Sequence, residues 1–198
     1  MINLAAIRRD VIVIGCSAGG IETLSRLLAA LPIDLSAIVA IVQHRSASYN
    51  GDLGAILARY AALPLIEPTE TQPLQLGRVY LAPRDRHMTI EHGVVQVNRG
   101  PTEHHTRPAA DVLFRSAAAA YRERVVGVVL TGAGQDGTAG LCAIKAAGGI
   151  SMVQHPSDAL LPAMPSSALR QKTVDLMLGL KEMPAAFLAL ARGQPFDH

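Results

Sequence analysis

A doubly wound α/β domain with a mostly parallel sheet and a β-hairpin insertion is the fold class this sequence predicts, and three observations predict it. Short β-branched apolar runs recur along the chain, at 10–15 (DVIVIG), 37–43 (AIVAIVQ) and 125–130 (VVGVVL). Each is followed by a turn and then by a segment with helical apolar spacing, the alternation that parallel strands with crossover helices require. Between residues 77 and 97 the texture changes to the brief runs RVYLAP, MTIEH and VVQVN, with His92-Gly93 at the bend expected of a hairpin.

Taken in order, 10–15 reads as a first strand and 20–31 as a helix, with Ile21, Leu24, Leu27 and Leu28 at helical spacing. A buried strand at 37–43, a helix at 52–61 and a short strand at 64–67 follow. The insertion at 77–97 is expected to be antiparallel throughout, and the polar stretch 98–108 (NRGPTEHHTRP), which holds two prolines, reads as a surface loop. Helical spacing resumes at 109–120. The strand at 125–130 leads through a Gly-rich segment, TGAGQDG, into a helix at 138–147. The remaining elements are strands at 150–154 and 173–177, with a helix at 166–172 between them, and a final helix at 184–192.

Composition narrows the function classes. The 198 residues are 49% hydrophobic and 17% charged, which suits one domain with a sizeable core. A formal charge of +2, from 18 basic and 16 acidic residues, leaves no nucleic-acid footprint. The two cysteines, Cys16 and Cys142, fit a reducing compartment and form no CxxC metal motif. The opening residues lack the order of an export signal, and no apolar run approaches the ~20 residues that span a bilayer. A cytoplasmic protein with no membrane insertion is expected.

Sheets of this kind bind ligands at the carboxyl ends of their strands. Three motifs fall there: GCSAGG after the first strand, QHRS after the second and LTGAGQDG after the strand at 125–130. Ser17 supplies a hydroxyl that needs a base to become nucleophilic. His44 can be that base, because an imidazole accepts and returns protons near neutrality. Asp136 can hold the imidazole in one tautomer and stabilise its charged form. Ala18, Gly19 and Gly20 support the turn into the next helix, whose free N–H groups can face an oxyanion.

Other readings compete with each piece. A Gly-rich loop after a first strand is commonly a phosphate cradle, but G-x-S-x-G-G lacks both the middle Gly of G-x-G-x-x-G and the Lys-Ser/Thr pair of a P-loop. A strand-end His is commonly a satisfied polar residue, and Asp before Gly commonly a turn or cap. GCSAG also matches the nucleophile elbow of α/β-hydrolases, whose chain order is Ser, acid, His, whereas the order here is Ser17, His44, Asp136; pairing Asp136 with His155 would restore theirs. Cys16 neighbours Ser17, but adjacent side chains leaving a strand diverge, so one of the two faces the cleft and Ser17 is the choice.

With these motifs assembled, the chain resembles the catalytic domain of the chemotaxis receptor methylesterases, the protein-glutamate methylesterase family, from about residue 10 to 178. VIGCSAGG is similar to that family's nucleophile motif, IVQHRS to its histidine motif and VGVVLTGAGQDGTAG to its aspartate motif; LAPRDRHM, RPAADVLFRSAA and AMPSSA add to the match. The resemblance implies hydrolysis of γ-glutamyl methyl esters on methyl-accepting chemotaxis receptor helices, and often deamidation of receptor glutamines. It implies the triad Ser17, His44 and Asp136, and no metal or organic cofactor. Three departures stand out. Typical members carry an N-terminal receiver domain, whereas this chain begins almost at the first strand, so a single catalytic domain is expected here, either as a piece of a longer protein or as a stand-alone member served by a separate receiver or regulator protein. Ala133 stands where the family commonly has Met. The pair His104-His105 lies outside the family pattern, and adjacent histidines in an extended loop tend to point apart, which argues against a metal site. Arg84, Arg86, His87, Ala133 and Met164 are the candidate substrate contacts, the first three because a Glu-rich receptor helix would meet basic groups; a solvated turn competes equally for those three, and loop packing is the favoured alternative for Met164. A serine esterase on another substrate, and a non-catalytic signalling module, are the alternatives.

Overall fold

The computed structural model describes residues 7–46, 48 and 51–196; residues 1–6, which entered the export-signal reading, lie outside it. In chain order its elements are β1 (Val11–Cys16), α1 (Gly20–Ala30), β2 (Ile38–Gln43), α2 (Leu53–Ala58), β3 (Leu65–Ile66), β4 (Gln72–Pro73), β5 (Arg78–Leu81), β6 (His87–Glu91) and β7 (Val94–Asn98). The second half continues with α3 (Ala110–Tyr121), β8 (Val125–Val129), α4 (Thr138–Ala146), β9 (Ile150–Gln154), α5 (Ala163–Arg170), β10 (Leu176–Leu178) and α6 (Met183–Ala191).

The seven-stranded sheet runs β10-β9-β8-β1-β2-β5-β3, and every pairing in it is parallel. β1, β2 and β8 are buried along their whole lengths, as central strands covered on both faces must be, which is why they read as unbroken apolar runs. Alternate side chains go to opposite faces. Ile12 and Ile14 join the layer of Leu24, Leu27, Leu57 and Phe187 from α1, α2 and α6. Val11 and Val13 join Leu113, Phe114, Leu141 and Met164 from α3, α4 and α5. From β1 the chain first builds outward through β2 and later returns to its other side at β8, so the order reverses at β1. That reversal opens a crevice at the strand ends.

Two expectations are corrected. RVYL is not part of the antiparallel insertion: it forms β5, parallel to β2, because Val79, Tyr80 and Leu81 are buried as in any inner strand. The insertion is instead a three-stranded antiparallel sheet, β4-β7-β6, in which Met88, Ile90 and Val95 pack toward α3. The helix expected at 166–172 begins earlier, at Ala163, and carries Pro165 in its first turn, where the missing N–H has no helical partner to lose.

α3 and α4 approach closely because Gly140 has no side chain. A Cβ there would overlap Phe114, on the backbone side of the ring where the neighbour cannot swing away. Gly140→Ala is therefore expected to cost about 1–3 kcal/mol by overpacking, seen as a lowered urea midpoint.

Candidate active site

Cys16 and Gln43 are register partners at the ends of β1 and β2, so Ser17 and His44 are the next residues along two adjacent strands. The His44 N–H donates to Cys16 O at 2.9 Å, which carries the ladder one step past the strands. Ser17 is fixed through its backbone: its N–H donates to Thr131 O at 3.0 Å, and its carbonyl accepts from Gly20 N at 2.9 Å and from Gln43 Nε2 at 2.9 Å. Gly19, at φ +80°, makes the left-handed turn that starts α1, a conformation glycine adopts at least cost.

Gln43 was not picked out from sequence, yet it ties the two loops together. Its Nε2 also donates to His44 O at 2.8 Å, and its Oε1 accepts the Cys16 thiol at 3.1 Å. The same Oε1 fills the space where a Cβ on Gly20 would lie. Cys16 is fully buried, and burial pushes its thiol well above the ordinary range, so it is no rival nucleophile.

Asp136 comes from the loop between β8 and α4. Its Oδ2 meets His44 Nε2 at 2.6 Å. The carboxylate also accepts Ala110 N at 2.6 Å, Asp111 N at 2.9 Å and Gly137 N at 2.9 Å, so it sits on the N-terminus of α3, where unpaired amides and the helix dipole favour negative charge. Burial by itself would raise the Asp136 carboxyl; the hydrogen bonds from His44 and from the α3 amides outweigh it and hold the group below the usual carboxylate range. With Nε2 engaged by Asp136, Nδ1 is the ring nitrogen of His44 left to face a serine proton.

The neighbouring Asp111 behaves oppositely: burial raises its carboxyl, against the Gly140 amide that stabilises the charge. The sign for stability follows. Asp136 contributes stability that is present above its unfolded value, near ~3.9, and lost as pH falls toward its lower native value. Asp111 has the reverse slope. The urea midpoint of the wild type is expected to drop on acidification below pH about 4, and the drop to be smaller in Asp136→Asn.

Among the other candidates, Gly20 supports the loop but spends its N–H on Ser17 O, which leaves Ala18 and Gly19 as the amides at the mouth of α1. Met164 is fully buried, its N–H bonded to Gly132 O; it packs where a Gly132 Cβ would be, 2.8 Å from which stands Ser17 Cβ. It braces the floor under Ser17 from below the surface. Ala133 is exposed in the same loop. His87 is also buried, held by Pro101 O and the Ala109 N–H, so the expected substrate contact is a structural residue. Arg84 and Arg86 are half-buried and stand outside the cleft that opens at His44.

That cleft, about 410 Å³, is walled by Arg45, Asp85, His105 and Arg107 among others. His104 and His105 are left-handed, at φ +50° and +59°, rather than extended, and they face different places: His105 lines the cleft, and His104 Nε2 meets Asp111 Oδ2 at 2.8 Å. His104, Asp111 and Asp136 bring three ligand-type atoms within 4.8 Å of one another. The hydrogen bonds already made by both carboxylates account for that trio. His155 bonds Ser157 and lines a different surface hollow, so Asp136 pairs with His44 and the α/β-hydrolase order is set aside.

A serine, an imidazole and a buried carboxylate at the ends of three neighbouring parallel strands are the equipment of a serine hydrolase. Comparison with known proteins narrows that class. The family model "CheB methylesterase" matches residues 12–187. A relative from Leptospira interrogans is 37% identical over 182 residues, covering 91% of this chain and 94% of its own length. Relatives from Anaeromyxobacter dehalogenans and Moorella thermoacetica, both named protein-glutamate methylesterase/protein-glutamine glutaminase, are 38% and 39% identical; they align with 94% and 93% of this chain, which spans 55% and 45% of their lengths. The crystal structure of the Thermotoga maritima CheB methylesterase catalytic domain superposes with a TM-score of 0.87 at 27% identity, covering 93% of this chain and all of that one. The chain belongs to the CheB methylesterase family.

Proposed function

We propose that this protein is a protein-glutamate methylesterase that hydrolyses γ-glutamyl methyl esters on chemoreceptor helices to glutamate and methanol. The observation that carries the proposal is the 2.6 Å bond between His44 and buried Asp136 one strand away from Ser17. In the reading we adopt, Asp136 accepts the Nε2 proton of His44, and Nδ1 takes the proton of Ser17 Oγ as that oxygen attacks the ester carbonyl. The imidazolium formed is stabilised by the carboxylate, and the oxyanion by amides of Ala18 and Gly19 at the start of α1. Methanol leaves with the His44 proton, and water, activated in the same way, releases the glutamate. A primary amide in place of the ester gives ammonia by the same steps, which is the glutaminase activity named in the relatives.

No helix among the described residues is long and apolar enough to cross a membrane; action on the cytoplasmic parts of receptors is part of the proposal. The deciding experiment incubates the protein with methylated receptor membranes and follows methanol, with a short ester as control. Methanol release supports the assignment. Cleavage of the short ester alone retains the hydrolase and removes the receptor, and inertness toward both favours a non-catalytic module.

A further inference from the structure

Asp136 has a second buried carboxylate beside it. Asp111, in the first turn of α3, is equally enclosed, each side chain having 1% of its surface exposed. The helix joins the two: the Asp111 N–H donates to Asp136 Oδ1 at 2.9 Å, while the Asp111 carboxylate accepts the Gly140 N–H at 2.6 Å and meets His104 Nε2 at 2.8 Å. Their support is unequal. Asp136 is gripped by three peptide amides and His44, and Asp111, among the described residues, by one amide and His104. His104 Nε2 also stands 3.8 Å from Asp136 Oδ1, so His44 takes the Oδ2 edge of the triad acid and His104 borders the other.

Neighbouring carboxylates in low-dielectric surroundings resist carrying two charges unless each has its own donors. Burial raises the Asp111 carboxyl most and the charge of Asp136 adds to it, against the Gly140 amide and His104. Without His104, a proton taken by Asp111 has the Asp136 carboxylate within 4.8 Å. A carboxylate that shares a proton with its neighbour presents less charge to His44.

A strained turn puts His104 in this place. The Glu103 N–H donates to Thr106 O at 3.2 Å and the Thr106 N–H to Glu103 O at 2.9 Å, which closes a two-residue hairpin turn on His104 and His105, at φ +50° and +59°. Asn-Gly or Gly-Gly ordinarily fills such a turn, because both residues are left-handed. Two histidines hold it where surrounding contacts over-determine it. Those contacts run to α3: His104 to Asp111, and Glu103 Oε1 to Arg115 at 2.6 Å.

We propose that His104 is a positioning residue for the triad: its bond to Asp111 fixes the first turn of α3, whose Ala110 and Asp111 amides hold Asp136 against His44, and keeps the second carboxylate from drawing on the charge of the first. The inference rests on Asp136 as the triad acid and is independent of which ester Ser17 cleaves.

Turn geometry and positioning rank substitutions at residue 104 in opposite order. Glycine suits a left-handed position best and removes the donor; glutamine suits it worse and keeps an N–H at similar reach. With a short ester as substrate, His104→Gly is expected to lower kcat about tenfold at an unchanged KM, and His104→Gln to recover most of the loss. The proton between His44 Nε2 and Asp136, deshielded by the short bond and read by ¹H NMR at low field, is expected to move upfield in His104→Gly and to return in His104→Gln. In an Asp111→Ala background, His104→Gly is expected to add about twofold at most, since the carboxylate it serves is gone; should that background fail to fold, the order of glycine and glutamine and the low-field proton decide without it. A kcat that ranks glycine above glutamine, or a low-field proton that His104→Gly leaves in place, overturns the proposal. A wild type inert toward every ester overturns the hydrolase reading instead, and the low-field proton still decides for or against His104.

Discussion

Ser17→Ala is expected to reduce methanol release from methylated receptors by on the order of 10⁴-fold or more, the loss seen when a serine nucleophile is removed while binding and charge stabilisation remain. The fold is expected to be untouched. The contacts that hold residue 17 are its N–H to Thr131 O and its carbonyl from Gly20 and Gln43, all of which alanine keeps. A matched urea midpoint with lost turnover assigns the chemistry to Oγ. Turnover that persists in Ser17→Ala places the nucleophile elsewhere.

Asp136→Asn is expected to cost about 10⁴-fold in kcat, and stability with it. A carboxylate at this position only accepts, and four N–H groups donate to it. An amide carries two donors of its own, so either orientation sets its NH₂ against N–H groups. Turned toward His44 and Ala110, it forces the imidazole into the other tautomer, with the proton on Nδ1 where a base must be free. Turned toward Asp111 and Gly137, it keeps the tautomer and leaves two buried amides unpaired. The second orientation costs about 1–3 kcal/mol for each such group. Proton inventory at His44 by ¹⁵N chemical shift distinguishes the two orientations, and urea unfolding measures the stability loss. An Asp136→Asn enzyme with normal kcat would remove the carboxylate from the mechanism.

The strands were legible because burial on both faces leaves no room for alternation: β1, β2 and β8 are continuous apolar runs, and a residue type at the end of each gave Ser17, His44 and Asp136. β4 was not legible. It is two residues long and one of them is Pro73, so neither period nor propensity marks it. RVYL was misread for a related reason: four residues carry too little pattern to distinguish an inner parallel strand from a hairpin arm, and only the pairing with β2 decides. Arg84, Arg86 and His87 were candidate contacts because a Glu-rich receptor helix would meet basic groups, and a linear reading does not say which way each side chain leaves the turn. In three dimensions the side chains of 84–87 diverge, His87 turns inward, and the basic groups at the cleft come from Arg45 and Arg107, 62 positions apart in sequence numbering. Gln43 escaped notice since nothing in a linear reading says that an amide ending one strand will reach the carbonyl leaving another.

The setting of Asp136 has a consequence for how sequences of this kind can diverge. Three of the four groups that grip the carboxylate are peptide amides, those of Ala110, Asp111 and Gly137. An amide is present whichever side chain the codon specifies, proline excepted. Apart from the bond to His44, the strength of the acid is therefore encoded in the path of the chain, and Ala110 contributes to it through its amide alone, whereas Asp111 is also tied by its carboxylate to Gly140 N and His104. Two proteins can differ in the side chain at position 110 and still hold this aspartate on the same amides, provided helix α3 begins at the same place.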